Sequence, residues 1–133
     1  MKTVLFDTNT VSDIISGIEM VLRRVETLNP ATCRISAVTA GEIAYGLARR
    51  PDATRLHRLT AAVMERLEVL PWDQAAAARY GLLRADQERQ GRSLGALDMM
   101  IAAHALATGA TLFTNDKAFQ GVPDLRLVDA RAV

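Results

Sequence analysis

Short apolar runs alternate with longer helical patterns along this chain. Runs such as Thr3-Val4-Leu5-Phe6 are too short for helices, whereas the segments between them carry apolar side chains at three- and four-residue spacing. This alternation predicts βαβ units, and therefore a mostly parallel sheet covered by helices. We expect strands at residues 3–6, 33–36, 69–70, 111–114 and near 127–128, and helices at residues 11–15, 19–28, 39–49, 53–67, 74–90 and 96–108.

The length and the apolar content suit a single domain spanning residues 1–133. Half of the 133 residues are hydrophobic, which is enough for a proper core. The lone Cys33 excludes an intrachain disulfide and favours a reducing compartment. No segment approaches the roughly 18 apolar residues of a membrane span, and the first residues do not resemble a signal peptide. We therefore expect a cytoplasmic protein without a membrane partner.

Four acidic residues fall where we expect a strand or a loop to give way to a helix. Two of them follow apolar strands, one follows a glycine-containing loop, and one lies near the start of the third helix. The carboxyl ends of parallel strands meet at one edge of the sheet, which is where open α/β sheets bind their ligands. The sequence therefore predicts that four carboxylates converge there, those of Asp7, Glu42, Asp98 and Asp116.

Several carboxylates within a few ångströms repel one another unless a cation lies among them. Hard ions such as Mg²⁺ and Mn²⁺ take oxygen ligands and keep several waters, and such an ion activates water for in-line attack on a phosphodiester. We therefore predict that the four acids are both metal ligands and catalytic residues.

Each of the four acids also has a structural interpretation. Thr39 and Glu42 have the spacing of a capping box, and Asp116 has the position of an N-cap. Asp98 suits the positive end of a helix dipole, and Asp7 suits an Asx turn. These alternatives stay open for each residue taken alone, but the shared location of all four favours a site.

Small polar residues accompany the acids. We predict that Asn9, Thr114, Asn115 and Ser36 orient the carboxylates or the waters of the metal, although turn chemistry explains them nearly as well.

The charge outside the predicted site is basic. The formal net charge is +1, but removing the four acids leaves 11 acidic against 16 basic residues, most of them arginine. Guanidinium groups bind phosphate through two parallel hydrogen bonds, so this surround suits a phosphodiester substrate. Our candidates for RNA contact are Arg92, Arg49 and Arg50. The alternative is that these arginines simply lie on solvated helix faces.

The chain resembles the PIN-domain family, and more narrowly the VapC toxins of bacterial type II toxin–antitoxin pairs. The resemblance covers nearly the whole chain and rests on residues 5–9 (LFDTN), 40–46 (AGEIAYG), 95–105 (GALDMMIAAHA) and 114–116 (TND). It implies a three-layer α/β/α sandwich with about five strands and a Mg²⁺- or Mn²⁺-dependent endoribonuclease, often one that cleaves tRNA. It also implies a homodimer that is neutralised by a small VapB-like antitoxin in a hetero-oligomer.

The same resemblance carries over to particular residues. Asp7, Glu42, Asp98 and Asp116 match the acidic positions of the family, and Asn9, Thr114 and Asn115 match its accessory polar positions. Some relatives have a further acid shortly after the last motif, where this chain has Lys117, Ala118 and Phe119. A fifth carboxylate is therefore not expected.

Three other interpretations compete with a nuclease. A haloacid-dehalogenase-like phosphatase needs a second Asp two residues after the first, and Asn9 stands there. A receiver-type phosphoacceptor needs an early pair of acids, which the chain lacks. The third alternative is a PIN scaffold that acts mainly as the partner of a DNA-binding antitoxin in autoregulation, with weak or no nuclease activity.

Overall fold

A parallel sheet with helices on both faces forms the framework of the chain. The structure, a computed structural model, describes residues 2–92 and 94–131. Within these residues the strands are β1 (Val4–Phe6), β2 (Cys33–Ser36), β3 (Glu68–Leu70), β4 (Thr111–Thr114) and β5 (Leu127–Asp129). The helices are α1 (Thr8–Ser16), α2 (Glu19–Glu26), α3 (Ala37–Ala48), α4 (Thr54–Met64), α5 (Gln74–Arg89) and α6 (Ala96–Thr108), with short 3₁₀ helices at Pro30–Thr32 and Lys117–Gly121.

The strand order places the first strand at the centre of the sheet. The order is β3-β2-β1-β4-β5, and every described pairing is parallel. The chain moves outward from β1 on one side and then returns to form β4 on the other side. The strand order therefore reverses between β1 and β4, and such a switch point leaves a crevice at the carboxyl ends of the two strands.

Alternate residues of each strand point to opposite faces of the sheet and pack into two cores, one on each face. Leu5 and Leu112 are fully buried in the core that includes α5 and α6. Phe6 and Phe113 are buried on the opposite face, where their rings meet edge to face with centroids 5.4 Å apart and helices α1 to α4 pack. The predicted three-layer α/β/α fold with a five-stranded parallel sheet is confirmed.

All the predicted strands and helices exist, and the main differences lie at helix boundaries, including earlier ends for α2 at Glu26 and α4 at Met64. Strands β2 and β4 and helix α6 have the predicted bounds. Helix α1 begins earlier than predicted because the Asp7 carboxylate caps it, and α3 begins at Ala37 because the Ser36 hydroxyl accepts the Val38 N–H at 3.1 Å. The capping-box interpretation of Thr39 and Glu42 is therefore wrong, since both residues lie inside α3.

Two expectations concern the chain as a whole. Met1, Ser93, Ala132 and Val133 lie outside the described residues, so a single domain over residues 1–133 stays a prediction. Among residues 2–92 and 94–131, no helix has the length and apolar character needed to cross a membrane.

His104 joins three elements beneath the carboxyl edge of the sheet. Its ring is 1% exposed, and Nδ1 lies 2.7 Å from Ser36 Oγ, at the junction of β2 and α3. The ring also hydrogen-bonds the backbone of Pro71, just after β3. Proline offers only a carbonyl, so the ring donates to Pro71 and accepts the Ser36 hydroxyl proton. A neutral imidazole thus satisfies both partners.

Burial lowers the pKa of His104 below its ordinary value, although nearby Asp73 and the bond to Pro71 oppose the shift. The unfolded chain then binds a proton at higher pH than the folded chain does, and the folded state loses stability as pH falls through the unfolded pKa of about 6.5. We expect the unfolding free energy of the wild type to fall more than that of His104→Gln between about pH 7.5 and pH 5.5, by at most about 1.4 kcal/mol per pH unit.

Urea denaturation at several pH values measures this difference, and the contributions of other groups cancel between the two proteins. His57→Gln is the matched control, because His57 is less buried and accepts no side-chain bond from another element. The same pH dependence in wild type and His104→Gln would contradict the assignment.

Candidate functional site

Asp7 lies at the switch point between β1 and β4. Phe6 pairs with Phe113 in the parallel register, so the next residues, Asp7 and Thr114, lie side by side. The Thr114 hydroxyl donates to Asp7 Oδ2 at 2.5 Å, and the Thr10 backbone N–H donates to Asp7 Oδ1 at 2.9 Å. Asp7 is 2% exposed. Strand register and helix capping together fix this carboxylate in the crevice.

Thr114 also connects Asp7 to the segment that carries Asp116. Thr114 is 4% exposed, and its Oγ1 accepts the Asp116 backbone N–H at 3.0 Å while donating to Asp7. Asp116 then caps the 3₁₀ helix Lys117–Gly121, with Oδ1 accepting the Ala118 N–H at 2.9 Å. The N-cap interpretation of Asp116 is therefore confirmed, and its carboxylate still lies close enough to raise the pKa of Asp7.

Glu42 reaches the same region from the middle of α3. Its Oε1 accepts the Thr8 hydroxyl proton at 2.5 Å, and Thr8 Oγ1 lies 3.4 Å from Thr39 Oγ1. The expectation that Glu42 stands where a helix begins is wrong, because Ser36 starts α3 directly at the end of β2. Glu42 instead contacts Thr8, the first residue of α1, and Asp7 is the N-cap of that helix.

Asp98 lies in the first turn of α6 and completes the group. Its pKa is raised to about 6, first by burial and then by the negative charges of Asp116, Glu42 and Asp7. The structure therefore brings all four predicted acids into one electrostatic neighbourhood. Burial also raises the pKa of Asp7, although its hydrogen bonds to Thr10 and Thr114 oppose that shift.

The donor set fits a hard divalent cation, because all four side chains offer carboxylate oxygens and no sulfur or imidazole. The described residues nevertheless contain no group of three acidic, histidine or cysteine side chains already arranged to hold an ion. Three of the carboxylates each accept a hydrogen bond, Glu42 from Thr8, Asp7 from Thr114, and Asp116 from the Ala118 N–H. Their oxygens keep further lone pairs with which to bind an ion.

The accessory polar residues divide into two groups. Thr114 contacts the acids as described, whereas the Ser36 hydroxyl lies between Val38 and His104 instead of near a carboxylate. For Asn9 and Asn115, no side-chain hydrogen bond joins either residue to another part of the described chain. Both stay predictions as orienting residues.

Two clefts contain the predicted RNA-contact residues. A cleft of about 340 Å³ between α1, α3 and α4 is lined by Glu42 and Thr8, and also by Arg49, the C-cap of α3, and Arg50, which follows it. The Arg49 guanidinium lies 5.5 Å from the centre of the Tyr45 ring. A second cleft, of about 500 Å³, is lined by Arg92.

Sequence reasoning missed Thr8 and Thr10. The Thr10 hydroxyl donates to the Phe113 carbonyl at 2.9 Å, which ties α1 to β4 beneath Asp7. Thr8 fixes Glu42 across 34 positions of sequence. The only sequence signal was a pair of threonines after Asp7, and their partners are distant in the chain.

Known proteins are similar to this chain in fold and in sequence. Residues 4–125 match the PIN domain. The tRNA(fMet)-specific endonuclease VapC of Shigella flexneri is 35% identical over 130 residues, which is 97% of this chain and 98% of that protein. DNA-bound VapBC from Salmonella typhimurium has a chain with a TM-score of 0.90 and 33% identity, covering 98% of this chain and 99% of that one. VapBC2 from Rickettsia felis, bound to a DNA fragment from its promoter, gives a TM-score of 0.87 and 28% identity, with coverage of 95% and 97%.

The raised pKa of Asp98 predicts a pH-dependent effect on stability. The folded chain binds this proton more readily than the unfolded chain, so protonation of Asp98 stabilises the folded state. This stabilisation is fully present below about pH 3.8 and is lost as pH rises through about 6. We expect Asp98→Asn to raise the unfolding free energy of the metal-free protein at about pH 7.5. The gain should be on the order of 1 kcal/mol, because Asp98 is partly solvated, and should vanish near pH 4.

Denaturant unfolding in EDTA measures the effect. Asp124→Asn is the matched control, because Asp124 is exposed in a turn at φ 64°, a conformation that Asn also adopts readily. Loss of stability in Asp98→Asn at neutral pH would show that the carboxylate acts as a structural cap.

Proposed function

This chain belongs to the PIN domain family, and on that premise we propose that it is the toxin of a type II toxin–antitoxin system, a divalent-metal-dependent endoribonuclease. The observation that carries the proposal is the convergence of Asp7, Glu42, Asp98 and Asp116 at the carboxyl edge of the sheet. The VapC of Shigella flexneri, named as an endonuclease, aligns over nearly its full length and supports the same activity.

We propose Mg²⁺ or Mn²⁺ as the cofactor and the four acids as its ligands and as catalytic residues. When bound, such an ion activates a water molecule and neutralises charge that develops on the phosphate. The protein's own contribution is to orient the ligands and, at Asp7, to favour the ionised form. Thr114 and the Thr10 N–H donate to Asp7 and favour its charged carboxylate, and Thr8 donates to Glu42 and fixes its position.

Asp98 contributes differently from the other acids. None of the hydrogen bonds described for the site stabilises its charge, and three neighbouring acids oppose that charge. A cation placed among the acids would therefore lower the Asp98 pKa by offsetting the negative charges around it. This coupling makes Asp98 the most informative position for mutation.

We propose structured RNA as the substrate and initiator tRNA as the first candidate, because the Shigella flexneri relative is named tRNA(fMet)-specific. Proteins recognise such RNA through its shape and its exposed loop bases. Arg49 and Arg50 line the cleft that contains Glu42, and this location supports them as residues that bind backbone phosphates.

We further propose that the protein acts in the cytoplasm as a homodimer bound to a small VapB-like antitoxin. The DNA-bound VapBC structures from Salmonella typhimurium and Rickettsia felis support such an assembly. They also support a second candidate function, in which the chain serves mainly as the partner of a DNA-binding antitoxin. The intact set of four acids favours the nuclease.

Cleavage of RNA distinguishes these functions. We expect purified protein with Mg²⁺ or Mn²⁺ to cleave initiator tRNA, and Asp98→Asn and Asp7→Asn to lower the rate by more than about 100-fold, since loss of a group that merely supports a ligand costs about 10- to 100-fold. Gel analysis of the cleavage products over time gives the rates.

Asp124→Asn is again the control, since it makes the same chemical change outside the site and should cleave at the wild-type rate. Cleavage by Asp98→Asn at the wild-type rate would refute the catalytic assignment. Absence of cleavage by the wild type with either metal, over a panel of tRNAs, would favour the scaffold function.

Metal binding should also stabilise the fold, independently of any substrate. An ion that binds only the folded chain, present at about one hundred times its dissociation constant, adds roughly 2.7 kcal/mol. For a domain of this size the midpoint of thermal unfolding should rise by roughly 10 °C. We expect Asp98→Asn and Asp7→Asn to show a much smaller rise with Mn²⁺.

Differential scanning calorimetry with Mn²⁺ and with EDTA measures the shift. Asp124→Asn should keep the full rise. Equal shifts in all of these proteins would place the metal away from the four acids, which would then serve only as caps and surface charges.

A further inference from the structure

A basic cleft lies beside Asp116 and the start of α6. Its volume is about 500 Å³, and it lies between the end of α5, the flanking residues Arg92 and Leu94, and the 3₁₀ helix Lys117–Gly121. Arg92 and Lys117 are its charged lining residues, and no described residue that lines it is acidic. We refer to it as the Arg92–Lys117 cleft.

Both walls of the Arg92–Lys117 cleft continue directly into the acidic group. On one wall, Leu94 is followed by Gly95, the N-cap of α6, and then by Asp98 in the first turn. On the other wall, Lys117 follows Asp116, which caps its 3₁₀ helix. The cleft therefore borders the two elements that carry Asp98 and Asp116.

The floor of the cleft is fixed and its cationic groups are available. Gln87 is 2% exposed, and its Nε2 donates to the Gly121 carbonyl at 3.1 Å. The Arg92 guanidinium passes over Gly121, where a Cβ atom would lie 2.2 Å from Arg92 Nη1, and Arg92 Nε donates to Gln90 Oε1 at 3.1 Å. In residues 2–92 and 94–131, neither Arg92 nor Lys117 forms a salt bridge.

An arginine that is held by a neutral glutamine and has no acidic partner is available to pair with an anion from outside the protein. Its planar donors match the oxygens of a phosphate, and a lysine nearby adds a second point charge. The acidic group beside the cleft would repel an isolated anion. A polyanion that also reaches the metal-binding region is attracted in two places, by the cations of the cleft and by the metal-binding region. The geometry therefore favours a phosphate within an RNA chain over free phosphate.

We propose that the Arg92–Lys117 cleft binds a backbone phosphate of the RNA substrate on the Asp116 side of the cleaved bond, an inference that rests on the proposed nuclease function. Arg92 and Lys117 are the residues that bind this phosphate. Arg49 and Arg50 line the other cleft, which contains Glu42. An RNA strand bound across the acids would then contact basic residues of both clefts.

The test measures binding of a fluorescently labelled tRNA to the Asp98→Asn protein by anisotropy, between about 50 and 200 mM KCl, with RNA integrity checked on a gel. Adding Arg92→Gln and Lys117→Gln removes two phosphate contacts. We expect the affinity at the lower salt concentration to fall by about 10-fold or more, and the slope of log affinity against log salt to lose about 1.4 to 1.8 in magnitude.

The control pair is Arg23→Gln with Arg84→Gln, which removes the same charge from exposed ion pairs on α2 and α5. It should change RNA affinity by less than about 2-fold. If the double variant in the cleft fails to fold, the single Lys117→Gln variant decides, with an expected loss in slope of about 0.7 to 0.9. Inorganic phosphate in the millimolar range should leave RNA binding unchanged, and competition at that level would instead assign the cleft to free phosphate.

Two outcomes separate this inference from the function on which it rests. If wild-type protein cleaves tRNA but the cleft variants bind RNA like the control pair, the cleft assignment is overturned and the nuclease stands. If RNA is neither bound nor cleaved by the wild-type chain, both are overturned.

Discussion

The parallel register of β1 and β4 is the constraint from which the site follows. Because Phe6 pairs with Phe113, Asp7 and Thr114 must emerge together at the carboxyl edge, and the Thr114 hydroxyl reaches Asp7 Oδ2 at 2.5 Å. A shift of one residue in this pairing would turn Thr114 to the other face of the sheet. The two phenylalanines that pack beneath the site therefore also hold its geometry.

The same arrangement concentrates negative charge in a partly buried place. The pKa of Asp98 reaches about 6 because burial and three neighbouring acids all oppose its ionisation. At Asp7, hydrogen bonds from Thr114 and the Thr10 N–H oppose this effect because they favour the ionised form. Sites that bind cations or polyanions commonly carry such locally unfavourable charge, which the rest of the fold must offset.

Away from the acids, a neutral network supports the edge of the sheet. Ser36 ends β2, caps α3 and hydrogen-bonds His104 of α6, which also reaches Pro71 after β3. This places the two helices that carry Glu42 and Asp98 against a common buried anchor. None of these anchor residues lines either cleft: one cleft contains Glu42 with Arg49 and Arg50, and the other contains Arg92 and Lys117.

Local sequence determined much of this protein. The alternation of apolar runs and helical patterns gave the parallel sheet, because strand and helix periods differ and short β-rich runs leave few other choices. Glycine and proline set several element ends, and Gly109, in the left-handed conformation, ends α6 where predicted. Asp7, Asp98 and Asp116 were identifiable as acids at strand or helix boundaries for the same local reasons.

Tertiary structure decided what depends on distant partners. Whether Ser36 or Thr39 caps α3 is settled by how β2 joins the helix, and the cap at Ser36 leaves Glu42 inside α3, where it accepts a hydrogen bond from Thr8. The bond from Thr8 to Glu42 and the grouping of Arg92 with Lys117 join residues far apart in the chain. Such contacts arise only when packed elements bring those residues together, and local propensity carries no information about them.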